Sequence, residues 1–154
     1  AQIKASARPP AIEPIGYRRR PVRVTLSGGW SMRIPGELAE RWEERGTWVA
    51  WDARRSVWFT SMTVRTEDGA PSPSTEATLA ALPPLTGDDL LELERGDLRG
   101  LARFVEDVHE GERVLRLEAH AARGDAAAIG TIVFVDESER EEALAIWGSL
   151  RHQA

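Results

Sequence analysis

The sequence predicts an α+β fold in which an antiparallel sheet of about six to seven strands is covered by helices on its faces. Short β-prone runs come in pairs joined by short turns, which is typical of antiparallel strands. An apolar stripe with helical spacing follows the last run. The chain has 154 residues, which is long enough for one globular domain. Of these residues 42% are hydrophobic and 29% are charged, which is typical of a globular protein.

Four β-prone runs in the first half of the chain predict two hairpins. The first pair flanks Ser27-Gly28-Gly29, where two glycines permit the positive φ that a tight turn needs. The second pair has apolar residues on both sides of each run, which favours strands in the interior of the sheet. The runs are VRVTL (22–26) with WSMRI (30–34), and TWVAWD (47–52) with SVWFTSMTVR (56–65).

Three further runs predict a meander. Within the middle run, Leu115, Leu117, Ala119 and Ala121 share one face, and Arg116, Glu118 and His120 share the other. The last run is almost entirely apolar, which predicts a central strand. The runs are 97–110, 113–122 and 126–136.

Four segments are predicted to be helical. The last of them begins at Asp136, because Asp136 and Glu139 match the capping pattern at a helix start. The apolar residues Ala143, Trp147 and Leu150 then form a stripe that can lie on the sheet. The predicted helices are ELAERWEER (37–45), TEATLAAL (75–82), GDDLLELERG (87–96) and Asp136 to about Arg151.

Residues 1–21 are predicted to be an extended basic arm in front of a single domain at 22–154. The arm contains four prolines and shows neither helical nor strand periodicity. Residues 1–23 hold six basic side chains and one acidic one, whereas the whole chain has a net charge of −5. Arg18, Arg19 and Arg20 are therefore candidates for binding an acidic partner, or for folding back on the acidic body.

Composition excludes several classes of function. The chain has no cysteine, so disulfides, thiolate metal sites and a cysteine nucleophile are excluded. With 20 basic and 25 acidic residues, broad contact with nucleic acid is disfavoured. No apolar stretch is long enough to span a membrane and no signal peptide is visible, so a cytoplasmic location is expected. Phosphate-loop and nucleophile-elbow motifs are absent, and no cofactor is expected.

Few residues are candidates for chemistry or binding. His109, His120 and His152 lack the spacing of metal ligands, so no metal site is expected. His120 is either a general base or, more simply, a surface histidine. Five tryptophans cluster between positions 30 and 58, where they form either the core or the wall of a ligand pocket. Trp51, Arg54 and Arg55 beside a turn are the candidates for a binding surface.

Two segments resemble PsbP-like domains, whose fold is shared with the Ran-binding Mog proteins. They are VRVTLSGGWSMRIP (22–35) and AHAARGDAAAIGTIVFVDESEREEALAIWGSL (119–150), in which Ala143, Ile146, Ser149 and Leu150 match the pattern of the closing helix. The resemblance implies a three-layer α/β/α sandwich that binds other proteins and is generally not an enzyme. Relatives in bacteria are mostly of unassigned role.

The function predicted first is a non-catalytic protein-interaction or accessory module with an unidentified protein partner. The lack of a catalytic constellation and the resemblance both favour it. The alternative is a small-molecule-binding protein or an enzyme with a pocket walled by tryptophans.

Overall fold

The computed structural model describes residues 20–153, which form ten strands and two α-helices. The predicted arm, including Arg18 and Arg19, lies outside the described residues apart from Arg20 and Pro21, which precede the first strand. The strands are β1 (Val22–Thr25), β2 (Trp30–Ile34), β3 (Ala39–Trp42), β4 (Trp48–Trp51), β5 (Arg55–Thr63), β6 (Leu91–Arg95), β7 (Leu98–His109), β8 (Glu112–Arg123), β9 (Ala126–Phe134) and β10 (Arg151–His152). The helices are α1 (Thr75–Ala81) and α2 (Arg140–Gly148).

Seven strands form one antiparallel sheet in the order β3-β4-β5-β9-β8-β7-β6. A smaller antiparallel sheet has the order β1-β2-β10. The meander β7-β8-β9 lies where the sequence predicted it, and both predicted hairpins are present. The α+β class with an antiparallel sheet of about seven strands is confirmed.

The first face of the large sheet carries the main core. Leu115 and Leu117 of β8 are fully buried on this face, beneath the small sheet and α2. The Trp147 ring of α2 lies so close to β9 that a Cβ at Gly130 would sit 2.4 Å from its Cζ3 atom. Only glycine leaves room for the indole at this position, so the identity of Gly130 fixes how near α2 approaches the sheet.

The second face is covered by α1 at the end of the sheet near the β8-β9 turn. Ala122 and Ala127, on the face opposite the main core, are fully buried. Ser74 caps the helix by accepting a hydrogen bond from the Ala77 amide. Thr78, also fully buried, donates from Oγ1 to the Gly124 carbonyl oxygen at 2.6 Å, which ties α1 to the turn.

Two of the predicted helices are strands, and a third ends early. Within 37–45 the chain forms β3, and within 87–96 it forms β6. Both segments are short and polar, so pairing with β4 and β7 outweighs a weak helical preference. The closing helix α2 ends at Gly148 rather than near Arg151, because Arg151 and His152 pair with β2. The helix predicted at 75–82 is confirmed as α1.

Candidate functional site

A cavity of about 600 Å³ opens on the second face, between α1 and the β6 edge of the sheet. Its floor is formed by strands β6, β7 and β8, and its wall by α1 and the segment that follows it. Most of the lining is apolar and includes Leu79, Leu82, Pro83, Pro84, Leu85 and Leu101. A cavity of this size and character can enclose a small organic molecule.

The wall of the cavity is positioned by the end of α1 and by one arginine. Leu82 closes the helix with extended backbone, as expected for a residue before Pro83. Further along, the Arg103 guanidinium donates to the Thr86 carbonyl oxygen at 2.7 Å and to its Oγ1 at 3.2 Å. Arg103 also pairs with Glu118 at 2.8 Å, so the loop after the cavity wall is fastened to the floor of the sheet.

His120 of β8 lies in the floor of the cavity and is only 6% exposed. Its ring nitrogens are not among the fully buried side-chain atoms without a partner, which within residues 20–153 are Nε1 of Trp147 and Nδ1 of His152. Burial lowers the pKa of His120, and the negative charge of Glu118 opposes this only in part. The imidazole is therefore neutral at pH 7 and can both donate and accept a hydrogen bond. The expectation of a surface histidine is wrong, because α1 covers this part of the strand.

The rim of the cavity is acidic. Glu76 in the first turn of α1 and Glu92 and Glu94 of β6 are all exposed and line the opening. Arg99 lines it too, and its Nε atom lies 3.3 Å from Oε1 of Glu94. One of the three carboxylates is thus paired, and among residues 20–153 the other two leave an excess of negative charge at the rim. Among residues 20–153 no three histidine, aspartate or glutamate side chains are grouped so as to hold a metal ion.

The residues predicted from the sequence as a binding surface lie at another part of the molecule. The Arg41 guanidinium stacks over the half-buried Trp51 ring, 5.1 Å from its centroid. Arg54 is exposed and lies 3.3 Å from Glu139. Arg55 is almost buried and is paired with Glu37 and Asp52. Trp51, Arg54 and Arg55 are near one another in sequence, but none of them lines the cavity.

The tryptophans divide between core and surface. Trp30, Trp48 and Trp147 are buried, whereas Trp42 is 51% exposed and Trp58 is 39% exposed. None of these side chains lines the cavity beside α1, so it is not the tryptophan-walled pocket that the sequence suggested.

The cavity could not be predicted from the sequence, because α1 and β6 are brought together only by the tertiary fold. The one local signal was His120 at a strand position.

Comparison with known proteins gives a fold and no family. No protein-family description matches the sequence, and no curated protein matches it either. A crystal structure from Bacteroides thetaiotaomicron is similar over 84% of this chain, with a TM-score of 0.62 and 12% sequence identity. This match shows the fold alone. The chain spans about half of that protein, 47% of its length.

The solution structure of a cyanobacterial PsbP from Synechocystis is a weaker match. It covers 86% of this chain and 92% of its own, with 10% sequence identity and a TM-score of 0.36. A TM-score of this size carries no argument, so membership of the PsbP-like family stays a prediction.

Neither helix within residues 20–153 is long and apolar enough to cross a membrane.

Proposed function

We propose that the protein is a non-catalytic accessory module that acts by binding, and that the cavity beside α1 is its binding site. The observation that carries this proposal is the cavity itself, which measures about 600 Å³, is lined mostly by apolar side chains and has the buried His120 in its floor. A pocket of this size, with one polar side chain among apolar ones, is typical of a site for a small molecule.

The surroundings of His120 favour binding over catalysis. A general base needs a second group to orient it and a nucleophile or substrate proton within reach. Glu118 on the same face of β8 is already paired with Arg103 and Arg116, at 2.8 and 3.1 Å. The rest of the lining near the imidazole is mainly aliphatic, which suits an apolar ligand held by one polar contact.

The test is to fill the cavity without disturbing the core. Ala80 is exposed on α1 and lines the cavity, so Ala80→Trp places an indole in it. Ala81 is also exposed, on the same helix, but is not part of the lining, so Ala81→Trp is the matched control. We expect the neutral probe 4-phenylbutan-1-ol to bind the wild type and Ala81→Trp equally and to bind Ala80→Trp at least about tenfold more weakly. Equal titration curves for all three proteins in calorimetry would contradict the proposal.

A second candidate function, contact with a partner protein, is favoured by the exposed Trp58. Its side chain lies on the second face of the sheet, in the same cross-strand row as Thr131 of β9 and Glu118 of β8, and Glu118 is paired with Arg103 and Arg116. Exposed tryptophans next to arginines are common in the energetic centres of interfaces. A partner that binds wild type and Trp42→Ala but loses about tenfold in affinity for Trp58→Ala would support this function. Equal affinity for all three proteins would count against it.

A further inference from the structure

We propose that the ligand of the cavity is a small apolar amine, whose positive charge lies at the acidic rim and whose apolar body fills the interior. This rests on the proposed function of the cavity. Three observations favour such a ligand: the balance of charge at the rim, the buried imidazole in the floor, and the volume of the cavity.

The balance of charge favours a cation. The salt bridge between Arg99 and Glu94 is neutral as a pair, and Arg99 also donates to the Leu98 carbonyl oxygen at 3.0 Å. Glu76 and Glu92 have no such partner among residues 20–153, so the part of the rim that these residues form carries two more negative than positive charges. An anionic ligand would be repelled at this opening, and a cationic one attracted.

The interior adds no charge to oppose that attraction. His120, the titratable side chain that lies buried in the floor, is neutral and can form a hydrogen bond to a polar atom of the ligand. The remaining inner surface comes from leucines and prolines, which hold an apolar body. The cavity thus has an acidic rim, a neutral polar group in its floor and an apolar wall. This combination matches a molecule with an apolar body and one positively charged end.

The volume favours a small molecule over a macromolecular segment. About 600 Å³ lies in the middle of the range of roughly 300–1,000 Å³ that is usual for small-molecule sites. A ligand of about a dozen non-hydrogen atoms therefore fits with its charged end at the opening. Peptide side chains, such as lysine, are treated as a competing occupant in the test.

The experiment compares three probes that share one apolar body. They are 4-phenylbutylamine, 4-phenylbutan-1-ol and 4-phenylbutyrate, titrated at pH 7 and low salt by calorimetry. We expect the amine to bind wild type about two- to tenfold more tightly than the alcohol, because its ammonium group interacts with two exposed carboxylates, Glu76 and Glu92. The carboxylate probe should bind most weakly. Added salt should reduce the advantage of the amine.

Variants assign the preference to the rim. The double variant Glu76→Gln/Glu92→Gln keeps the Arg99–Glu94 pair, so it should bind the amine and the alcohol equally while its affinity for the alcohol is unchanged. The variant Glu44→Gln/Glu67→Gln removes the same charge from exposed positions outside the cavity and should behave as wild type.

Each other outcome overturns the inference. If wild type binds amine and alcohol equally and Ala80→Trp blocks both, the cavity is a binding site but the ligand is not an amine. If no probe binds, the proposed function fails as well. If N-acetyl-glycyl-lysyl-glycinamide displaces the amine at a lower concentration than the alcohol does, the occupant is a lysine of a partner protein.

Discussion

Burial of the His120 ring links the stability of the fold to pH. Its pKa in the folded protein is lowered from the ordinary value of 6.5, chiefly because burial disfavours the charged imidazolium. Below pH 6.5 the unfolded chain therefore takes up a proton that the folded chain does not. Stability contributed by the neutral ring is complete above this pH and is lost as the pH falls toward the folded pKa.

We predict that the free energy of unfolding of wild type falls more steeply between pH 7.5 and about pH 5 than that of His120→Gln. His152 also has a lowered pKa, mainly through burial, but it is present in both proteins and cancels in the comparison. Urea denaturation at several pH values measures the difference, with His109→Gln at an exposed position as the control. Parallel curves for wild type and His120→Gln would show that the ring is solvated.

The strand pattern placed His120 on the correct face but could not show its burial. Alternation along 113–122 assigns Arg116, Glu118 and His120 to one face, and the register with β7 and β9 confirms this. Arg116 and Glu118 remain partly exposed on that face, whereas His120 lies at the end that α1 covers. The covering helix comes from a distant part of the chain, and no local pattern records where it docks.

Arg55 at the start of β5 joins several elements. Its side chain is 13% exposed and lies 2.9 Å from Glu37, 3.2 Å from Asp52 and 4.0 Å from Glu139. A further contact reaches Glu142 of α2. The guanidinium thus links the β2-β3 connection, the β4-β5 turn and the start of α2.

We predict that Arg55→Met lowers the free energy of unfolding by about 1–3 kcal/mol, between the values usual for exposed and buried ion pairs. Its neighbour Arg54 is 59% exposed, and Arg54→Met, the matched control, should change stability by less than about 0.5 kcal/mol. Urea denaturation of the two variants provides the comparison. If both variants lose the same free energy of unfolding, water solvates the carboxylates around Arg55 as well as the arginine does.

Strands with strong patterns were predictable, and short polar segments were not. The runs around β5, β8 and β9 combine β-branched or apolar residues with clear turns, so their positions are confirmed within a few residues. The segment Leu91–Arg95 alternates Leu and Glu but also fits a helical turn, and pairing with β7 decides between the two. β10 has only two residues, which is too short for any periodicity.

At the scale of the whole molecule, the small sheet joins the two ends of the described chain. The backbone N–H of Gln153 donates a hydrogen bond to the Gly29 carbonyl oxygen at 2.8 Å. The centroids of the His152 and Trp30 rings lie 4.7 Å apart. Arg123 donates to the His152 carbonyl oxygen at 2.7 Å. A Cβ at Gly29 would sit 2.3 Å from the Gln153 carbonyl oxygen, so this junction requires glycine.

We predict that Gly29→Ala lowers the free energy of unfolding by about 2–4 kcal/mol, through backbone strain and displacement of the strand β10. Gly46→Ala is the matched control, because Gly46 has a φ of +81° against +86° at Gly29 but no atom near its missing Cβ. It should lose only about 1–2 kcal/mol from the strained φ. If chemical denaturation gives equal losses, the close approach of Gln153 does not contribute to stability.

The place of β2 between β1 and β10 has a consequence for the chain as it is being made. At roughly 5–20 residues per second, a ribosome needs on the order of ten seconds to proceed from β2 to β10. During that interval the hairpin of β1 and β2 has one edge without a partner, and its apolar residues Trp30, Met32 and Ile34 have no α2 to cover them. The nascent protein therefore exposes these apolar residues and an unpaired strand edge before the residues that cover them have been made, and this favours aggregation during synthesis.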